Sequence, residues 1–197
     1  LRRADLYPVI SSEFTNGRPV LDVLKAVADA GCLIVQMREK NKSKRELFHL
    51  AEKYLETTSK YGMLLIVNDH VDVALAAGAD GVHLGQDDLP LTAGRAIAPE
   101  LVLGVSTHDQ AEADKAQAEG ADYINIGPLF PTKTKELSYE FLGVEALRTI
   151  APSLRIPFSV MGGIKEKHIP GLLDAGARMI AMVTEITQAD DVLAKTK

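Results

Sequence analysis

AGADGVHL, residues Ala77–Leu84, joins two opposite textures in eight residues. A small Ala-Gly step closes one segment, and Gly81-Val82-His83-Leu84 opens a short β-prone run. The device recurs as AGC before LIVQM (Ala30–Met37), EGAD before YINI (Glu119–Ile126) and AGAR before MIAMV (Ala175–Val183). A glycine just past a helix takes the left-handed C′ conformation without a Cβ penalty. Gly31, Gly78, Gly120 and Gly176 are therefore expected at four helix ends, each before an even-numbered strand. Such recurrence is the mark of a repeated βα unit.

Working outward, short apolar runs alternate with longer helical patterns. The runs Leu6–Ile10, Cys32–Met37, Met63–Val67, Gly81–Leu84, Leu101–Val105, Tyr123–Ile126, Phe158–Met161 and Met179–Val183 have the length and texture of buried parallel strands. Helices are expected over Val20–Ala30, Lys44–Lys60, Val71–Ala77, His108–Glu119, Val144–Ile150 and Lys165–Ala175, and from Leu89-Pro90 onward. Eight βα units in 197 residues predict the α/β class and a compact (β/α)8 TIM barrel. With no Gly/Ser-rich linker, residues 1–197 read as a single domain. The rival is a doubly wound sheet. It would show a glycine fingerprint after the first strand, where SSEFTNGRP stands instead.

Composition narrows the function. Hydrophobic residues make up 46% of the chain, enough for a core. A net charge of −5 argues against a non-specific nucleic-acid binder. No apolar stretch approaches the ~18 residues of a membrane span. The opening LRRADLYPVI has no signal-peptide core, and Cys32 stands alone in an apolar run. A cytoplasmic protein with one buried, reduced thiol is expected. The chain begins at Leu1 rather than Met, so a few residues could precede it. A homo-oligomer is compatible with all of this.

In a barrel the active site lies at the carboxyl ends of the strands. In order, those ends carry Gln36-Met37-Arg38-Glu39-Lys40, Asn68-Asp69-His70, Gly85-Gln86-Asp87-Asp88, Ser106-Thr107-His108, GPLFPTKTKE (Gly127–Glu136), Gly162-Gly163 and Thr184. Arg38, Lys40, Lys133 and Lys135 put four cations on this rim, with threonines and backbone N–H groups beside them. Such a set suits phosphate or diphosphate. Alternation turns Lys133 away from the side that Lys135 faces. Asp69 and Asp88 end adjacent strands, and Mg²⁺ is commonly held by one or two carboxylates plus substrate phosphates. Gly162-Gly163 offers N–H groups to a second phosphate. Plainer readings stand beside these: loop cations kept for solubility, Asp69 and Asp88 as helix caps, and a tight βα turn at the glycines. His83, in mid-strand, reads as a satisfied barrel histidine, and His108 as a structural residue at a helix start.

QMREK, VNDH, GVHLGQDDLP, GVSTHD, ADYINIGPLFPTKTK and VMGGI, in this order from Tyr7 to Thr184, together resemble the thiamine phosphate synthase family. The resemblance implies condensation of 4-amino-2-methyl-5-hydroxymethylpyrimidine diphosphate with 4-methyl-5-hydroxyethylthiazole phosphate. The products would be thiamine phosphate and diphosphate. By this resemblance Gln36, Arg38, Lys40, Asn68, Ser106 and Lys135 bind the pyrimidine diphosphate. Asp69 and Asp88 hold Mg²⁺. Thr132 and Thr134 contact the thiazole, whose phosphate rests on Gly163, Val183 and Thr184. Catalytic roles fall to Arg38, Ser106 and Lys135. A dissociative path needs no strong nucleophile, and the motifs supply none. The partners implied are small molecules only.

Two positions depart from the family's common pattern: Met161 stands where isoleucine is usual, and Thr184 where serine is. Two other functions remain in view. One is a thiazole tautomerase on the same barrel, with His108 as acid or base. The other is a non-catalytic barrel that binds a phosphorylated metabolite. Neither makes use of Asp69, Asp88 and the PTKTK loop together.

Overall fold

In the computed structural model, which describes residues 1–132 and 141–197, eight parallel strands close a barrel in chain order, and β1 returns to pair with β8. The strands are β1 (Leu6–Ile10), β2 (Ile34–Met37), β3 (Leu64–Asn68), β4 (Gly81–Leu84), β5 (Val102–Thr107), β6 (Tyr123–Ile126), β7 (Phe158–Val160) and β8 (Met179–Met182). Among the described residues the helices are α1 (Val20–Asp29), α2 (Lys44–Tyr61), α3 (Val71–Ala77), α4 (Leu91–Ile97), α5 (Gln110–Ala118), α6 (Gly143–Ile150), α7 (Ile169–Asp174), α8 (Thr184–Thr187) and α9 (Val192–Thr196). The fold is the expected TIM barrel.

The period-two alternation of the strands builds two cores. Val35, Met37, Leu65, Val67, Val82, Leu84, Leu103 and Ile124 face outward into the layer shared with the helices. Their neighbours Ile34, Ile66 and Tyr123 face inward, where they meet Tyr7, Val9, Met179 and Ala181. Each large aliphatic chain so buried contributes about 1.5–3 kcal/mol. Among the described residues no helix is long and apolar enough to cross a membrane.

The repeated glycines behave as the sequence predicts. Gly31, Gly78, Gly120 and Gly176 all have positive φ, between 76° and 97°. The aspartates of the two GAD steps have a further use that carried no sequence signal. Asp80 Oδ2 accepts the Leu65 N–H and Asp122 Oδ2 accepts the Leu103 N–H, both at 2.8 Å. Each thus satisfies the N–H of the second residue of the preceding strand.

Several boundaries differ from expectation. β5 pairs with β6 as far as Thr107 opposite Ile126, so Ser106 lies inside the strand rather than beyond it. α5 begins at Gln110 because Asp109, not His108, caps it, accepting the Glu112 N–H at 2.8 Å. α4 begins at Leu91, since Pro90 holds an extended ψ of 140°. The segment from Lys165 opens with a 3-10 turn, Glu166–His168, before α7. Two short helices, α8 and α9, follow β8. Cys32 is buried as expected, and burial, with Asp5 nearby, pushes its thiol up to about 12.

Candidate active site

Gln36 lies within β2, and Arg38 and Lys40 follow its end. The backbone ladder continues past the strand, with Arg38 N–H donating to Ile10 C=O at 2.8 Å. Glu39 is buried between them and accepts from the Ser12 N–H at 2.8 Å and the Ser12 hydroxyl at 2.6 Å. It pins the loop after β1 against the end of β2, and so fixes the base from which Arg38 and Lys40 project. In the sequence Glu39 was only one letter of QMREK. The Arg38 guanidinium makes no ion pair among the described residues.

Asp69 lies just past β3 with φ at 64°, a left-handed conformation uncommon outside glycine. Its N–H donates to His83 C=O at 2.8 Å. Neither aspartate is a helix cap. α3 is preceded by His70 and α4 by Pro90, both without a side-chain cap. Asp69 instead pairs with the Lys40 ammonium, and Asp88 Oδ2 accepts the Gly85 N–H at 2.7 Å. Burial raises the Asp69 pKa. A hydrogen bond from its carboxyl to Asp88 raises it further, and these outweigh the opposing pull of Lys40. Two carboxyls in contact, one of them reluctant to ionise, make a site that a divalent cation would relieve. The oxygen-only donor set suits Mg²⁺. Among the described residues no third His, Cys, Asp or Glu joins them.

His83 is satisfied, as expected: Nδ1 lies 2.9 Å from the Tyr123 hydroxyl and Nε2 2.9 Å from Ser106 Oγ. His108 is tied to Glu112, whose Oε2 lies 2.8 Å from His108 Nδ1 and accepts the His108 N–H at 2.7 Å. Asn68 stands opposite His83 in the β3–β4 register, and Ser106 opposite Asn125 in β5–β6.

The other side of the rim is a cavity of about 630 Å³ whose wall includes Thr132, Gly163, Val183, Thr184 and Met161. All four residues expected around the thiazole phosphate and described here meet in it, together with the atypical Met161. The glycines are required by close approach. A Cβ on Gly162 would stand 2.5 Å from Pro128 Cα, and one on Gly163 2.2 Å from Pro131 C=O. Both also have positive φ, 101° and 62°. They let the loop after β6 lie against the loop after β7, where the Phe130 N–H donates to Gly162 C=O at 2.9 Å. Lys165 and Glu185 pair at 2.9 Å on the cavity wall. Lys133, Thr134 and Lys135 lie outside the described residues.

The rim therefore has two chemically distinct halves. Arg38, Lys40, Asp69 and Asp88 stand on the β2–β4 side; on the β6–β8 side hydroxyls and glycine backbone stand beside the mutually paired Lys165 and Glu185. A family model for thiamine monophosphate synthase matches residues 6–186. A thiamine-phosphate synthase of Caldicellulosiruptor saccharolyticus is 43% identical over 98% of this chain and 88% of its own length. One of Pelotomaculum thermopropionicum is 41% identical over 100% of this chain and 91% of its own. A solved thiamine phosphate pyrophosphorylase of Pyrococcus furiosus superposes with a TM-score of 0.90 at 34% identity, covering 98% of this chain and 92% of that one. By sequence and by structure, the chain belongs to the thiamine monophosphate synthase family.

Proposed function

We propose that the protein joins 4-amino-2-methyl-5-hydroxymethylpyrimidine diphosphate to 4-methyl-5-hydroxyethylthiazole phosphate, releasing thiamine phosphate and diphosphate in the cytoplasm. The observation that carries this reading is the divided rim: a cation and carboxylate half for the diphosphate donor beside a hydroxyl and glycine half for the acceptor. Gln36, Asn68 and Ser106 hold the pyrimidine. Arg38, Lys40 and Lys135 neutralise charge as it develops on the leaving diphosphate. Thr132 and Thr134 orient the thiazole, and Gly163, Val183 and Thr184 take its phosphate. Mg²⁺ held by Asp69 and Asp88 would supply further positive charge to the diphosphate oxygens.

Departure of diphosphate is assisted by the electron-rich aminopyrimidine, so the protein needs no nucleophile of its own. Its task is to hold the thiazole nitrogen in line with the reacting carbon and to keep water out. Lys40, paired with Asp69, stands beside the carboxylates that would hold the cation. A tautomerase reading would leave Asp69, Asp88 and the cations after β2 without a role.

The test is incubation of the pure protein with both substrates, with and without Mg²⁺. Thiamine phosphate is expected, and its absence under both conditions removes the proposal. Lys135→Ala should also cost much more activity than Lys133→Ala; equal losses would refute the facing argument for the loop after β6.

A further inference from the structure

A row of hydrogen bonds crosses the barrel interior from β2 to β5. Gln36 Nε2 donates to the Tyr7 hydroxyl at 2.9 Å, and the Tyr7 and Tyr123 hydroxyls are 2.9 Å apart. Tyr123 meets His83 Nδ1 at 2.9 Å, and His83 Nε2 meets Ser106 Oγ at 2.9 Å. Tyr7 and Tyr123 are fully buried, Gln36 is 1% exposed and His83 5%. Burying so many polar groups costs stability that an aliphatic core would not. The barrel is also shaped around the row: a Cβ on Gly104 would fall 2.1 Å from Tyr123 Cζ. Both ends of the row are residues assigned above to the pyrimidine.

Counting hydrogens gives the row a direction. Burial raises both tyrosine pKa values, so each hydroxyl keeps one hydrogen. Tyr7 accepts from Gln36 and so gives its own hydrogen to Tyr123. Tyr123, accepting from Tyr7, gives its hydrogen to His83 Nδ1. His83 then carries its proton on Nε2 and donates to Ser106 Oγ. The Ser106 hydrogen is left to point outward. A proton on Nδ1 would make Tyr123 accept from His83, and Tyr7 would receive two donors. Its own buried hydrogen would then have no acceptor, at a cost of about 1–3 kcal/mol.

From this we infer that His83, Tyr123 and Tyr7 are positioning residues that hold the His83 proton on Nε2 and present Ser106 to the pyrimidine diphosphate as a hydrogen-bond donor. At the other end of the row Gln36 donates its Nε2 inward to the Tyr7 hydroxyl. The functional part of this inference rests on the reaction proposed above. The tautomer does not.

Two measurements test it. In ¹⁵N-histidine-labelled wild-type protein, with the His83 resonances assigned by their loss in His83→Gln, long-range ¹H–¹⁵N spectra should show the Nε2–H tautomer. The Nδ1–H tautomer or an imidazolium at neutral pH overturns the direction of the row. In steady-state assays, Tyr123→Phe should lower kcat/KM for the pyrimidine diphosphate by about 10-fold or more, with KM for the thiazole phosphate unchanged. Ser106→Ala combined with Tyr123→Phe should be no worse than Ser106→Ala alone, because one acts through the other. Additive losses, or equal effects on both substrates, overturn the positioning role. A wild-type protein that makes no thiamine phosphate removes the reaction and this role with it, and leaves the tautomer measurement standing.

Discussion

The ring of Phe130 stacks on the imidazole of His168, with centroids 3.9 Å apart and planes 19° from parallel. Phe130 belongs to the loop after β6, and His168 to the turn that precedes α7. One ring pair therefore fastens together two walls of the acceptor cavity. His168 Nδ1 also accepts the Lys165 N–H at 3.1 Å, which requires that nitrogen unprotonated. Burial, helped by Lys167, lowers the His168 pKa and favours that state. Phe130→Ala should raise KM for the thiazole phosphate several-fold and leave KM for the pyrimidine diphosphate unchanged. It should cost only about 1–2 kcal/mol of stability, the worth of one stacked pair and some partly buried area. An equal rise in both KM values would show that the stack serves the whole rim.

Asp88→Asn tests the carboxyl pair. Asparagine keeps an oxygen for the Gly85 N–H and removes a like charge from beside Asp69, so unfolding should shift by no more than about 1 kcal/mol. Turnover at limiting Mg²⁺ should fall by at least about 10-fold, and part of the loss should return at high Mg²⁺. Unchanged turnover at limiting Mg²⁺ would take Asp88 out of the metal site.

The architecture was legible because the βα device is written four times in the sequence, and each copy needs its glycine for a local backbone reason. The candidate site was legible where charged motifs follow strands: Asp69 and Asp88, read as neighbours, do meet. What remained hidden depends on contacts distant in sequence. Tyr7 and Tyr123 look like ordinary strand aromatics; only barrel closure brings their hydroxyls together. Glu39 looks like one more loop charge until the Ser12 loop is folded onto it. Ser106 was placed past its strand, because a serine–threonine pair ends an apolar run by composition, yet pairing with β6 carries the strand two residues further.

Two glycine substitutions should move stability in opposite directions. Gly104→Ala sets a Cβ 2.1 Å from a tyrosine ring held by its own hydroxyl bonds to Tyr7 and His83, so the clash has no cheap relief. A loss of about 2–3 kcal/mol is expected. Gly171→Ala, inside α7, meets nothing within 4 Å and should gain about 0.5–1 kcal/mol from helix propensity. Urea unfolding of both variants measures the difference. Equal shifts would mean that the barrel interior yields around Tyr123.

Glu185 carries the clearest pH signature. Its carboxylate receives Lys165 at 2.9 Å and Lys195 at 3.0 Å, and accepts the Glu166 N–H at 3.4 Å. Burial alone would raise its pKa, but the two lysines and that N–H outweigh burial and hold it down at about 2, below its ordinary 4.5. A depressed acid stabilises the fold fully above its unfolded value and loses that contribution as pH falls toward its folded value. The stabilisation should therefore be complete above 4.5 and decay toward about 2. With solvent screening of the exposed lysines it amounts to about 1–2 kcal/mol. Glu185→Gln should be less stable than the parent by that amount at roughly pH 7, and the gap should close toward roughly pH 2. The same substitution frees Lys165 on the cavity wall, so KM for the thiazole phosphate should move while KM for the pyrimidine diphosphate stays. A stability gap that is flat with pH would show that the network contributes through packing rather than charge.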